Sequence, residues 1–457
     1  MRAKRAALLL ALALAGCAPP LAKPDTAVHV AAYLPGQSVA AGQVSREWWT
    51  MFDSPALNAL EQRGLRANNS VLEAQANLNA ARANAGAANG AFLPQVQLEP
   101  PGYPAASRQS YPTGPNGYPP YTIYALAGEI SYDPGLFGAR RYTFENGQAL
   151  AAYQAAELDA ARQSVSGNIA AAAIALAGDE AQIGTTERII VAERKLLTLL
   201  QGEYADGAIP RLSVLQQQSV ILGTEATLPP LQTQAQQQRD RLAVLTGTLP
   251  ADFAAAGLSL SELALPPDVP VALPSAYLKN RPDIRAALAQ VAAQQAALGI
   301  AVAHMYPDLS LSATGGYVAE TANALFNTSS AFWVLAGNLL APLYEGGELR
   351  AHKHAAQAQL AGALAAYHDA VLNAFSQAAD AVAAVQNGRV ALDRAAAAAQ
   401  TADAAFDLSA AQYRMGAIDY TTVLTAQSNA AQAALNETQA RAALLSAIAA
   451  LEAAMAN

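Results

Sequence analysis

The stretch Tyr204-Ala-Asp-Gly-Ala-Ile-Pro-Arg-Leu-Ser-Val-Leu-Gln-Gln-Gln218 returns as Tyr413-Arg-Met-Gly-Ala-Ile-Asp-Tyr-Thr-Thr-Val-Leu-Thr-Ala-Gln427, 209 residues further along the chain. The tyrosine, the Gly-Ala-Ile trio, Val-Leu and the closing glutamine hold the same places in both copies. A period of about 200 residues is too long for a small solenoid repeat, so it reads as one structural unit made twice, with two-fold pseudo-symmetry inside one chain.

Other landmarks keep nearly the same spacing. Phe92-Leu-Pro94-Gln-Val-Gln-Leu98 recurs as Met305-Tyr-Pro307-Asp-Leu-Ser-Leu311, an offset of 213, and Pro134-Gly-Leu-Phe-Gly138 recurs as Pro342-Leu-Tyr-Glu-Gly346, an offset of 208. The offset falls by 5 between Pro94 and Pro134, so the first copy is expected to carry the longer loop there. Residues 99–121, rich in Pro, Gly and Tyr, read as turn and loop.

Long helices are expected between the landmarks. Phe144 to Glu203 and Glu348 to Gln412 contain no proline and are dense in Ala, Leu, Glu and Gln, all strong helix formers. About 60 helical residues make a rod of about 90 Å. Leu360, Leu364, Tyr367 and Val371 fall at i, i+4, i+7 and i+11, one apolar stripe that must pack against other long helices. Further helical runs follow each Tyr…Gly-Ala-Ile motif, about 212–245 and 421–455. Gly207 and Gly416 suit helix C-caps, and Ser213 and Thr422 suit helix starts, so two helical hairpins are expected with the same turn at each tip.

Short alternating segments follow the prolines: Val96-Gln-Leu98, Leu309-Ser-Leu311-Ser-Ala313, Tyr121 to Tyr132 and Phe332 to Ala341. Strands of about ten residues with one apolar face and terminal aromatics fit a transmembrane barrel. Four such strands cannot close a barrel, and open edges are not tolerated in lipid, so the barrel would be shared by an oligomer. A small periplasmic sheet is the plain alternative.

Arg2, Lys4 and Arg5 precede an apolar run from Ala6 to Ala15, then Leu14-Ala15-Gly16-Cys17. A basic start, a short apolar core and small residues before a cut site describe a secretory signal. Cys17 is the only cysteine, and its setting resembles the bacterial lipobox, whose thiol is acylated; Ala18, not Asp, follows it and favours outer-membrane sorting. Two or three acyl chains would anchor the mature chain stably. An ordinary signal peptide with an incidental cysteine is the alternative.

Of 457 residues, 53% are hydrophobic and 14% charged, with no apolar stretch of about 20 residues after the signal, so membrane helices are excluded on length. The net charge of −8 becomes −11 once Arg2, Lys4 and Arg5 leave with the signal; such a chain without a basic patch argues against nucleic acid. His352 and His354 stand two apart on an expected helix and cannot share a metal on one face. Gly-Leu-Phe-Gly138 lacks the Lys and Ser/Thr of a phosphate loop, and no GxSxG elbow occurs. No enzyme activity, metal or cofactor is expected.

Trp48-Trp-Thr-Met-Phe52-Asp-Ser-Pro-Ala-Leu57, Arg281-Pro-Asp-Ile-Arg285 leading to Tyr306-Pro307, Pro342-Leu-Tyr-Glu-Gly-Gly347 and Val423-Leu-Thr-Ala-Gln427 resemble the bacterial outer-membrane efflux lipoproteins, the NodT branch of the TolC superfamily. The resemblance runs from the signal peptide to about Leu451. It implies a mainly α fold with a membrane β part: a long α-helical barrel plus four strands per protomer in a homotrimeric twelve-stranded β-barrel. It also implies a periplasmic adaptor protein and an inner-membrane pump as partners, outer-membrane lipid around the barrel, and small molecules leaving through the lumen.

The corresponding organisation is a signal peptide at 1–16, a lipidated linker at 17–50, a first repeat at 51–247, an equatorial connector at 248–280 and a second repeat at 281–457. In this family the hairpin tips form a constriction opened by an iris-like movement. The tip candidates are Tyr204, Asp206, Arg211, Tyr413, Asp419 and Tyr420. Three copies of Asp419 near a three-fold axis would repel one another and attract cations; a solvated turn residue is the plain alternative. Many relatives in this family carry Asp where this chain has Thr425, a departure from an inherited acidic gate. Tyr204 and Tyr413 are expected to pack the turn rather than line the gate. A protein-secretion channel shares this architecture, and a structural coiled-coil lipoprotein is a reading from another class.

Overall fold

The computed structural model describes residues 21–22, 24–26, 47–98, 107–111, 121–254, 257–266 and 280–455. The expected signal peptide at 1–16, the expected lipidation site Cys17 and most of the expected 17–50 linker lie outside the described residues, as does part of the expected 248–280 connector. The elements in order are α1 (Pro55–Ala67), α2 (Asn69–Gly90), β1 (Gln95–Gln97), β2 (Ser107–Tyr111), β3 (Tyr121–Tyr132), α3 (Ala139–Ala205), α4 (Arg211–Glu225), α5 (Leu228–Leu245), α6 (Pro282–Ala303), β4 (Asp308–Ala319), β5 (Ala331–Leu340), α7 (Glu348–Arg414) and α8 (Tyr420–Met455).

The two proline-free runs form α3 and α7, each 67 residues long. Along α7 the stripe expected from the sequence turns inward: Leu360, Leu364 and Tyr367 are half-buried and Val371 is buried. It continues through buried Ala374, Ala378, Val382 and Val385 at the three- and four-residue steps that keep one helix face.

Several sequence expectations need correction. The run expected as one helix at 212–245 is two, α4 and α5, broken at Ala226–Thr227. Pro229 and Pro230 cause the break, because proline lacks an N–H and its ring clashes with the preceding turn, so it is tolerated only in the first turn of a new helix. Membrane helices were excluded on length, yet α6 is long and apolar enough to cross a bilayer. Part of its surface packs on α3. A Cβ on Gly299 would lie 2.4 Å from the Tyr142 ring of α3, so only glycine permits that approach, and Asn146 Nδ2 donates to the Ala293 carbonyl at 2.8 Å.

The chain divides into two compact units, each drawing on both halves of the sequence. One gathers Asn77–Ala155 and Ala286–Asp369, with the described residues among the first 28, and contains the sheet. β3, β4 and β5 are antiparallel neighbours, with Tyr132 opposite Leu311 and Asp308 opposite Leu340. β1 and β2 both line the other edge of β3, Gln95 opposite Ser131 and Ser107 opposite Ala125. Five strand segments thus fill four columns. Residues 107–111, expected as loop from composition, are strand because β3 offers them a ladder, and backbone pairing overrides a weak local preference. On β5 every residue except Phe332 is exposed, including Trp333, Leu335 and Leu339, as a strand with an empty edge and uncovered faces must be.

The other unit gathers Ala156–Arg285 and Ala370–Asn457 with the described residues of His29–Ala76. Its core holds Ile169, Ile174, Leu176, Leu200, Leu242, Leu445, Ile448 and Leu451, all essentially inaccessible. Trp48, Trp49 and Phe52 form an edge-on aromatic cluster, and the Ala264 N–H donates to the Phe52 carbonyl, tying the chain at Ala264 to this cluster.

Candidate functional site

The two copies of the opening motif build the same turn. Gly207 and Gly416 each adopt φ 74°, a left-handed conformation that glycine enters without a Cβ clash. The Ala208 N–H donates to the Glu203 carbonyl at 2.8 Å, and the Ala417 N–H donates to the Gln412 carbonyl at 2.9 Å, so both long helices close with their last carbonyls satisfied.

Beyond the turn the copies diverge. α4 starts after Pro210, whose side chain caps nothing. α8 starts after Asp419, whose Oδ1 accepts from the Thr422 N–H at 2.9 Å, the Thr422 hydroxyl at 2.7 Å and the Thr421 hydroxyl at 2.9 Å. These donors hold the Asp419 carboxyl below its usual range. Asp419, not Thr422, therefore caps α8, and Ser213 likewise lies inside the first turn of α4; both expected helix starts were two to three residues late.

Two tyrosines fasten this end of the unit. The Tyr413 hydroxyl donates to Glu203 Oε2 at 2.6 Å, joining the last turns of α7 and α3. Partial burial and the Glu203 carboxylate push the Tyr413 phenol up, so it remains a donor at physiological pH. Tyr420 is buried, its ring edge-on to Tyr413 with centroids 6.2 Å apart, and its hydroxyl donates to Gln217 Oε1 at 2.6 Å. Burial, then the charge of Glu193, pushes the Tyr420 phenol up to about 12. Gln217 Nε2 donates to the Glu193 carbonyl at 3.1 Å, while the Thr224 hydroxyl donates to Glu193 Oε1 at 3.0 Å. Beneath lie Leu200, Val214 and Tyr420, with Leu196, Leu197, Ile209 and Leu424 packed around them.

Tyr413 thus packs the turn, as expected, whereas Tyr204 stays 45% exposed. Asp206 and Arg211 are exposed, with Arg211 opening α4. Thr425 is exposed and donates to the Thr421 carbonyl at 2.9 Å. It lines a groove of about 670 Å³ with Thr422, Ala397, Thr401 and Ala402. Glu203, Gln217, Glu193 and Thr224 were not singled out from the sequence; only the adjacency of Glu203 to Tyr204 and the Gln216-Gln217-Gln218 run marked them there. Among the described residues no group of His, Cys, Asp and Glu could hold a metal.

The outer membrane efflux protein family model matches residues 60–248 and 273–457. The chain is 29% identical over 409 residues to the probable efflux pump outer membrane protein TtgC of Pseudomonas putida, covering 87% of this chain and 82% of that protein. It is 31% identical over 342 residues to the pyoverdine export outer membrane protein OpmQ of Pseudomonas aeruginosa, covering 72% and 70%. Among solved structures, the outer-membrane channel OprN superposes with a TM-score of 0.88 at 25% identity, covering 96% of this chain and 99% of that one.

Proposed function

The chain belongs to the outer membrane efflux protein family and acts in the outer membrane as a channel rather than an enzyme; from that premise we propose that it is the exit duct of a tripartite efflux system. Three copies close a twelve-stranded barrel, with four columns from each. The open edges of β5 and of β1 and β2 carry this reading, because no sheet edge is stable in lipid until another strand covers it. The exposed apolar residues of β5 become the barrel wall.

The chain is read as two repeats, 51–247 and 281–457, joined by 248–280; two 67-residue helices and two glycines at φ 74° support the duplication. Cys17, after a signal at 1–16, carries the lipid that anchors the 17–50 linker. A periplasmic adaptor protein and an inner-membrane pump are its partners, and the pump supplies the energy. The tips form the constriction, and an iris-like movement of the hairpins opens it. The Tyr413–Glu203 clasp resists that movement, and three Asp419 carboxylates present fixed negative charge at the aperture.

Native mass and planar-bilayer conductance of the purified protein test the duct. A trimer is expected, with small conductance that rises when Tyr413→Phe releases the tip. A monomer, or a trimer that passes no ions even in that variant, overturns the reading.

A further inference from the structure

Leu343 and Tyr344, in the turn between β5 and α7, are 97% and 88% exposed, more than any other large apolar side chain among the described residues. The turn ahead of α3 also holds an apolar pair, Leu136 and Phe137, two residues closer to its helix than Leu343 and Tyr344 are to α7, and there both are half-buried. Phe137 stacks on Tyr306, with centroids 5.2 Å apart and planes 16° from parallel. Tyr306 directly precedes Pro307 and β4. Its counterpart directly before Pro94 and β1 is Leu93, which is 65% exposed.

The internal contact therefore joins the turn of the first copy to the strand start of the second, across the β3–β4 seam. Among the described residues the turn of the second copy has no such partner in its own chain, since β1 lies on the far edge of the sheet. Resting on the trimer and two-repeat reading above, we propose that Leu343 and Tyr344 of one protomer pack on Leu93 of the next, closing the subunit boundary on this side of the sheet as Phe137 and Tyr306 close the β3–β4 seam.

The same transfer sets the strand register. Ser107 faces Ala125 while Thr314 faces Val334, and Gln95 faces Ser131 while Asp308 faces Leu340, so β3 maps onto β5 at a constant 209 residues. Thr314 faces Glu129 within the chain. Their equivalents, Ser107 and Asn338, should then face each other between protomers.

Leu93→Cys/Tyr344→Cys, treated with a short bis-thiol cross-linker in the full-length protein, tests the contact. Phe137→Cys/Tyr306→Cys serves as the internal standard. The expected result is covalent dimers and trimers from the first pair and cross-linked monomers from the second, with Ser107→Cys/Asn338→Cys forming disulfide-linked oligomers. A native trimer in which the first pair stays monomeric while the standard reacts overturns the contact and leaves Tyr344 facing lipid or solvent, with the trimer reading intact. A native monomer overturns both.

Discussion

The hydroxyl of Tyr413 lies 2.6 Å from Glu203 Oε2, so the last turn of α7 is tethered to the last turn of α3 where the duplicated motif begins. Hydrogen bonds to a charged partner are stronger than neutral ones, which makes this tether a selective point of attack. Tyr413→Phe keeps the ring against Tyr420 and removes only the donor. Single-channel recordings should show longer open periods and larger mean conductance than wild type. Unchanged recordings would remove Tyr413 from the gate and leave it a packing residue.

Tyr420 and Gln217 behave differently, because their bond is buried. Tyr420→Phe strands Gln217 Oε1 without a donor, which should cost about 1–3 kcal/mol. Gln217→Leu in the same chain should recover part of that loss, since removing both polar partners is cheaper than orphaning one. Thermal unfolding of the single and double variants measures the coupling, and strictly additive losses would show that the two side chains act independently.

Asp419 combines two roles that substitution can separate. Asp419→Asn keeps an oxygen able to cap α8 but loses the charge; Asp419→Ala loses both. Cation preference should fall equally in the two variants, while only the alanine variant should melt at a lower temperature. If ion selectivity is the same in all three proteins, Asp419 is a helix cap and nothing more.

Glu61 is fully buried beside Ser166, neither of its carboxylate oxygens accepts a hydrogen bond, and burial raises its pKa to about 9. A carboxyl whose folded pKa lies above its unfolded 4.5 favours the fold most below that value, and this contribution is lost as pH rises toward 9. Each pH unit in the window costs up to about 1.4 kcal/mol. Glu61→Gln should therefore melt close to wild type at pH 5 and well above it at pH 8.5. An equal difference at both pH values would mean that the carboxyl does not titrate across this range.

Much of the architecture was legible because it rests on local rules. Proline-free Ala-rich runs became α3 and α7, and the period-two segments after Pro94 and Pro307 became β1 and β4. The errors arose where local and non-local preferences compete. Ser107–Tyr111 has a loop-like composition but meets the edge of β3, and Pro229 and Pro230 broke a helix that apolar spacing alone would have continued. At the tips the glycine turns were legible, since φ 74° suits glycine, but the partners of the tyrosines were not. Glu203 and Tyr413 stand 210 residues apart, and no periodicity links them.

The sequence by itself determined the recurring turn motif, most helix and strand types and the family, because helical and strand periodicity, proline placement and turn glycines are read residue by residue. Only the tertiary structure decided that equivalent residues do different work. Tyr204 lies exposed while Tyr413 clasps Glu203. The same residue type packed against different neighbours experiences different burial and different partners, and that environment exists only once the helices have met.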